Sequence, residues 1–403
     1  MDRLIDRPRY LSRIRPFVGI PVIKILTGVR RSGKSTLLQM LSAEISQSHP
    51  DAVVVHLNLE SEAGLSIRTP QNLLDALRHC GADSHSRSYI FLDEVQRLES
   101  WEDAINAIRV DWDCDLYLTG SNSTMLSSEL ATNLAGRYTE FSIRPLAFAE
   151  FAELYPNEAD RHALFEDYVS VGGFPLLKYF NRSLAPSLQY LQSVVDTVVV
   201  RDVIEHRNIR DVDLFQRILR YCVGNIGRTF SAHSIVRYLK SEGRTVSVDT
   251  VLSYLDYCTQ AFLIERVPRF DITGKTVLRA DEKYYAVDHG IRSAMGFDNR
   301  TDIELVLENI VYSDLRSRGY DVHVGCRGNK EVDFVAVNGS SRLYIQVSYL
   351  IAPEQTRDRE FGALEAIADN YPKLVLSMDP MTQSRNGIEH LNIVDFLLDE
   401  GAA

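Results

Sequence analysis

The sequence predicts an α/β chain whose first part is a parallel sheet, and three observations predict it. The β-branched, apolar segment Val22-Ile23-Lys24-Ile25-Leu26-Thr27 runs directly into the turn Gly28-Val29-Arg30-Arg31-Ser32-Gly33-Lys34-Ser35, and a helical pattern opening Thr36-Leu37-Leu38 follows. Two further apolar segments, 52–59 and 89–93, read as buried strands separated by the helical stretch 71–77. The second of them ends in two adjacent carboxylates, Asp93 and Glu94. Strands alternating with helices in this way build parallel sheets covered on both faces.

Taken in order, residues 9–20 suggest a short amphipathic lead-in, with Arg13 and Arg15 as solvated charges. The turn at 28–35 fits G-x-x-x-x-G-K-[ST] at every fixed position and has the flanking strand and helix that this motif requires. Gly28 and Gly33 let the backbone turn where a Cβ would clash, so that successive N–H groups and a helix N-terminus converge on phosphate. Arg31, Ser32 and Thr36 belong to the same cradle. Lys34 supplies a point charge to the β- and γ-phosphates, and the Ser35 hydroxyl suits Mg2+. At the tip of the strand 89–93, Asp93 is placed to hold the metal shell, and Glu94 to orient and deprotonate a water.

The strand at 116–119 ends in the small polar group Gly120-Ser121-Asn122-Ser123. A helix is expected over 125–135, then Gly136-Arg137-Tyr138 and a last strand through Glu140-Phe141-Ser142-Ile143. The motifs at 28–35, Leu-Asp-Glu-Val-Gln at 92–96, Thr-Gly-Ser at 119–121, Leu-Ala-Gly-Arg-Tyr at 134–138 and Arg144-Pro145-Leu146 resemble a large prokaryotic AAA+ family of P-loop NTPases. Its members pair the ATPase with a C-terminal domain of unknown function. Gly172-Gly173-Phe174-Pro175 and Arg201-Asp202-Val203-Ile204 extend the resemblance over nearly the whole chain.

The resemblance implies ATP and Mg2+ as cofactors and Asp93-Glu94 as the Walker B pair. It implies a sensor residue at Ser121 or Asn122, of which Asn122 is the catalytic candidate. It also implies a homo-oligomer in which Arg137 acts as an arginine finger on a neighbouring subunit, worth about 10³ to 10⁵ in turnover. The family names parts better than purpose.

Residues 1–150 are expected to form the ATPase domain and 151–210 a helical lid or connector, broken at Gly172-Gly173-Phe174-Pro175 because glycine and proline do not continue a helix cheaply. Residues 211–300 suggest a winged-helix domain: three helical patterns, then strands near 263–268 and 283–287 around a wing at 271–275. Its third helix carries only Asp249 and Asp256 as charges, which disfavours groove reading, so protein interaction is the default. Arg266, Arg269, Lys275, Arg279 and Lys283 are either phosphate contacts or a solvated hairpin.

Residues 301–403 resemble the restriction-endonuclease-like fold, whose metal site uses a helix glutamate, a strand aspartate and E-x-K on the next strand. Glu308 and Asp333 match the first two places, while Gln346 and Ser348 stand where the Glu and Lys belong. A glutamine can offer a carbonyl oxygen but no charge, and serine brings no ammonium, so an intact but inactive nuclease fold is expected.

With 403 residues the chain is long enough for two to four domains. A net charge of −11 argues against a nucleic-acid-coating surface, leaving DNA as a weak possibility beside an unidentified protein partner. Five scattered cysteines without C-x-x-C spacing suggest a reducing, cytoplasmic setting, and no apolar run approaches a membrane span. The best overall reading is a Mg2+-dependent ATPase coupled to C-terminal interaction domains. Its alternatives are an ATP-controlled DNA-binding protein or nuclease, and a slow nucleotide-dependent switch.

Overall fold

Side-chain alternation along the strand Ser88–Asp93 sets the layering of the first part of the molecule. Ile90 and Leu92 face a core with Leu73, Leu77, Trp101 and Ile105, while Tyr89 and Phe91 face another with Tyr10, Leu37, Leu38 and Leu41. Period-two burial on both faces requires helices on both sides of the sheet. The structure, a computed structural model, describes residues 5–120, 134, 136–328 and 330–399, without the side chains of 279–281. It divides into two units, 1–144 and 145–403.

In the first unit, β1 (Ile23–Thr27), β2 (Val53–Asn58), β3 (Ser88–Asp93), β4 (Cys114–Thr119) and β5 (Tyr138–Ser142) form a sheet in the order β2-β3-β4-β1-β5. Every neighbouring pair is parallel. The helices α1 (Pro8–Ile14) and α2 (Lys34–Ser48) serve one face, and α3 (Pro70–His79) and α4 (Trp101–Asp111) the other. The C-terminal tips of β1, β3 and β4 therefore share one rim, which is where open α/β sheets bind ligands. Ser121, Asn122 and the helix expected over 125–135 lie outside the described residues, apart from the buried Leu134.

The second unit opens with helices α5 (Phe148–Ala152), α6 (Arg161–Val171) and α7 (Leu184–Thr197), the last continuing into a π-helical stretch Val198–Glu205. Gly172 ends α6 at φ +76°; a Cβ there would collide with Asp288, and one on Gly173 with the Leu146 carbonyl. That close approach, besides helix breaking, is what the glycine pair provides.

Three helices follow, α8 (Val212–Gly224), α9 (Ala232–Ser241) and α10 (Val248–Gln260), then a hairpin of β6 (Ile264–Asp271) and β7 (Thr276–Ala286). After α11 (Gly290–Ala294) and α12 (Ile303–Ser317) come β8 (Asp321–Arg327), β9 (Lys330–Asn338), β10 (Ser341–Val347), α13 (Glu354–Glu365), β11 (Lys373–Ser377), β12 (Glu389–Asn392) and α14 (Ile393–Leu398).

The hairpin foreseen as a wing of residues 211–300 belongs to the sheet of residues 301–403, whose order is β12-β11-β10-β9-β8-β6-β7. Arg269–Asp271 pair in parallel with Val324–Cys326, covering backbone groups that would leave β8 an open edge. At the other end β12 adds in parallel to β11.

Candidate functional site

At the rim of the first sheet, three strand tips and the turn after β1 meet around one carboxylate. Asp93, at the end of β3, is 1 % exposed. Its Oδ1 accepts from Ser35 Oγ at 3.0 Å and from Thr119 Oγ1, and its Oδ2 accepts from Asn58 Nδ2 at 3.0 Å. Asn58 ends β2 and Thr119 ends β4, the two neighbours of β3, so the sheet order delivers both donors. All three donors are neutral, so they orient the carboxylate without cancelling its charge.

The adjoining backbone is strained and held. Glu94 adopts a left-handed conformation at φ +58°, ψ +48°, which costs a non-glycine residue about 1–2 kcal/mol. Its N–H donates to Thr119 Oγ1 at 3.0 Å, and its carboxylate accepts from Gln96 Nε2. Thr119 thus joins the two acids, donating to one and accepting from the backbone of the other.

The turn itself is built as the motif requires. Gly28 sits at φ +133°, where a Cβ would strike the Ile143 carbonyl, and Gly33 at φ +97° immediately precedes α2 without a side-chain cap. Arg31 is also left-handed, at φ +64°. The leading N–H groups of α2 therefore face the turn with no acidic residue in the first helical turn, an arrangement suited to an anion. Lys34 is buried and donates to the carbonyls of Gly28 and Val29, each at 2.9 Å. Ser32 Oγ is buried without a hydrogen-bond partner. A capless helix start, an orphaned hydroxyl, a lysine folded onto loop carbonyls and a carboxylate with neutral donors fit a nucleotide phosphate and its metal.

Lys34, Ser35, Asp93 and Glu94 are thus brought together as the sequence suggests, within the frame of Gly28, Arg31, Ser32, Gly33 and Thr36. Asn122 lies outside the described residues. Arg137 is not part of this cluster. It is exposed, donates from Nη1 to Asn106 Oδ1 at 3.1 Å, and stands at the start of β5, where its carbonyl accepts from the Ile23 N–H. The turn follows the opposite end of β1, roughly 15 Å away at about 3.3 Å per residue. Sequence reasoning gave no role to Asn58 or Thr119; Asn58 shows only as a polar residue closing its strand, while Thr119 also opens the Thr-Gly-Ser motif at 119–121.

In the second unit the expected acids converge in a cavity of about 530 Å³. Glu308 on α12 and Asp333 on β9 are there, but an ammonium is present too, supplied by Lys283 on β7 instead of position 348. Lys283 Nζ lies 2.8 Å from Glu308 Oε1, 2.8 Å from Glu331 Oε1 and 3.9 Å from Asp333 Oδ1. Tyr285 donates to Glu308 at 2.5 Å. Burial alone would lower the Lys283 pKa, yet the three carboxylates outweigh it and hold the ammonium charged. Asp333 is pushed well above the usual carboxylate range, first by burial and then by Glu308.

Gln346 is held there at both ends of its amide: Oε1 accepts from the Asp333 N–H and Nε2 donates to Glu360, both at 2.7 Å. Ser348 Oγ donates to the Leu350 carbonyl at 3.3 Å. Among the described residues no group of three or more His, Cys, Asp or Glu side chains is placed to hold a metal ion.

Three of the five basic residues of the hairpin stand against acids. Lys283 is buried among acids, Arg269 lies 3.8 Å from Glu331 and Arg266 3.6 Å from Glu282; the Arg279 side chain is outside the description. Among the described residues no helix is long and apolar enough to cross a membrane.

Residues 21–152 match a family described as an AAA domain, and residues 162–302 a domain of unknown function (DUF8612). An uncharacterized protein of Haemophilus influenzae is 33% identical over 402 residues, covering 98% of this chain and 99% of its own. One from Methanocaldococcus jannaschii is 26% identical over 93% of this chain and 85% of its own. Among solved structures, a Walker-type ATPase of Pyrococcus abyssi aligns at 15% identity and a TM-score of 0.47, over 73% of this chain and 96% of its own. The RuvB Holliday junction branch migration motor of Thermotoga maritima aligns at 17% and 0.32, over 64% and 86%. Family membership rests on the sequence relatives and not on these distant likenesses. With the phosphate-binding turn, the paired acids and the parallel sheet all in one unit, the chain belongs to the family of P-loop AAA-type ATPases that carry a C-terminal domain of unknown function.

Proposed function

We propose that the protein binds ATP with Mg2+, hydrolyses it, and uses the cycle to rearrange its second unit. The observation that carries this reading is Asp93: a buried carboxylate 3.0 Å from the Ser35 hydroxyl, surrounded by neutral donors, beside a lysine-bearing turn. Ser35 and Asp93 would hold the metal, whose chemistry there is to neutralise charge on the phosphoryl oxygens. Lys34 exchanges its loop carbonyls for phosphate oxygens. Glu94, fixed by Thr119, orients the water and accepts its proton, and Asn122, three residues beyond β4 in sequence, remains the sensor candidate.

Arg137 acts in trans in a homo-oligomer. Its position at the far end of β5 supports that reading, because its own turn is at the opposite rim. In the second unit Lys283 supplies the ammonium that position 348 lacks, and it is the uncharged Gln346 in place of a carboxylate that supports the absence of cleavage. The unit is an interaction module whose partner is a protein sooner than DNA.

Lys34→Ala tests the assignment. A fluorescent ATP analogue should lose measurable affinity for the variant, and phosphate release should stop; unchanged turnover in a folded variant refutes nucleotide hydrolysis at this turn.

A further inference from the structure

The segment before α1 contains an arginine that the nucleotide chemistry does not use. Arg7 is 4 % exposed, and its guanidinium lies 4.5 Å from the centroid of the Tyr10 ring. A single nitrogen, Nη1, donates to two carbonyls at 3.0 Å each, those of Ser32 in the phosphate-binding turn and of Arg144. The Tyr10 hydroxyl adds a second tie by accepting from the Arg144 N–H at 3.2 Å. A buried guanidinium persists only where such oxygens and an aromatic face replace its water.

The other end of the turn meets the same segment. Gly28 is packed against the Ile143 backbone, and the Ile143 N–H donates to the Thr27 carbonyl at 2.8 Å. Both ends of the turn are therefore fastened to residues 143–144. Arg144 is the last residue of the first unit, and the chain passes to the second once, at Pro145. Leu146 is anchored in its turn within the second unit: its N–H donates to the Gly173 carbonyl at 2.7 Å, and its carbonyl accepts from the Tyr168 hydroxyl at 2.9 Å. One residue, a proline with a fixed φ, separates the two anchored positions.

We infer that Arg7 is a positioning residue that passes the state of the phosphate-binding turn to the Arg144-Pro145-Leu146 junction. The inference rests on the nucleotide reading above. Binding a triphosphate takes Lys34 away from the carbonyls of Gly28 and Val29, so the peptides of the turn readjust. Because Ser32 is tied through Arg7 to Arg144, the readjustment moves the junction instead of being absorbed inside the turn. The bistable element is local, two carbonyls bridged by one nitrogen, and its output is the backbone at the single crossing between units.

The test compares full-length wild type with Arg7→Met, Arg7→Lys and Tyr10→Phe. Hydrogen exchange of peptides covering 143–150 and 165–175 is measured with and without Mg2+ and a slowly hydrolysed ATP analogue, alongside titration of a fluorescent analogue. Wild type should show a nucleotide-dependent change in both peptides. Arg7→Met should lose that change while its Kd stays within about threefold, as expected when the lost hydrogen bonds do not reach the ligand. Arg7→Lys should restore part of the change, since an ammonium also offers several protons from one nitrogen.

Tyr10→Phe keeps the ring and removes one tie, so it should weaken the change even if Arg7→Met does not fold. A full nucleotide-dependent change in Arg7→Met or in Tyr10→Phe overturns the inference. So does an Arg7→Met variant that loses affinity and exchange response together, unrescued by lysine. Wild type that binds nucleotide but shows no change in either peptide defeats the role of Arg7 alone; wild type that binds none defeats the nucleotide reading itself.

Discussion

Replacing Thr119 by valine removes one hydroxyl from the strand-tip cluster and almost no volume. Thr119 Oγ1 donates to Asp93 Oδ1 and accepts from the Glu94 N–H at 3.0 Å. The bond to the carboxylate is worth about 1.5–3 kcal/mol and the neutral one about 1, so the cluster loses about 2.5–4 kcal/mol of support. The left-handed Glu94 backbone, strained by about 1–2 kcal/mol, then has less to hold it. A catalytic base displaced by about an ångström costs roughly 10² in rate. The expected outcome in a steady-state phosphate-release assay is a kcat lower by about 30- to 100-fold with KM changed less than about threefold. KM is spared because Thr119 bonds Asp93 and the Glu94 backbone and makes no hydrogen bond to the turn itself. Thr119→Ser, which keeps both bonds, should stay within about threefold of wild type. A valine variant that melts cooperatively and retains more than about half of the wild-type kcat would refute the role given to the strand tips.

Two further outcomes follow from the same geometry. Glu94→Gln should bind the fluorescent nucleotide with near wild-type affinity while turnover falls by about 10² or more, the usual scale of a lost general base; equal turnover removes Glu94 from the reaction. Asp333→Asn should change the pH dependence of stability. Burial and then Glu308 raise the Asp333 pKa in the folded state, so its contribution is complete below the unfolded value of about 4 and is lost as pH rises through the raised value. The thermal midpoint of wild type should therefore fall relative to the variant as pH rises above about 4, and parallel curves would refute a raised Asp333 pKa in the folded protein.

What was legible in the sequence was local. The turn at 28–35 is contiguous, and Asp93-Glu94 closes a strand whose apolar run announces it, so neither needs knowledge of what lies beside it in space. Asn58 and Thr119 need the strand order β2-β3-β4, which period-two patterns do not encode; each reads alone as an ordinary polar strand end. Arg7 is 25 residues from Ser32 and 137 from Arg144, and nothing in its neighbourhood distinguishes a buried bridge from a solvated charge. Arg15, read as solvated, does sit in an exposed ion pair with Glu44 at 2.7 Å. Lys283 shows the opposite failure. A hairpin was assumed to be exposed, whereas its pairing into the sheet carries that ammonium to Glu308, 25 residues away. The pattern strand-turn-strand was correct, and the partner of its edge was what the sequence left open.

The two acid clusters differ in what surrounds their charge, and that difference bears on where the proposed metal would sit. Around Asp93 the donors are two hydroxyls and an amide, so its negative charge is hydrogen-bonded but not neutralised. Two unit charges about 4 Å apart attract by about 4 kcal/mol at an effective dielectric constant of about 20, and a divalent ion doubles that pull. At Glu308 and Glu331 the attraction is already taken by an ammonium 2.8 Å from each. A divalent ion entering that cavity would have to displace Lys283 from a buried pairing or sit beside it against like charge, and removing one partner from such a pairing costs about 3–5 kcal/mol. The same residue also ties β7 to α12 and β9, so displacing it would loosen the sheet edge that the hairpin closes. The charge balance therefore supports the proposal that the metal sits at the phosphate-binding turn and that the second cluster serves as a joint of its sheet.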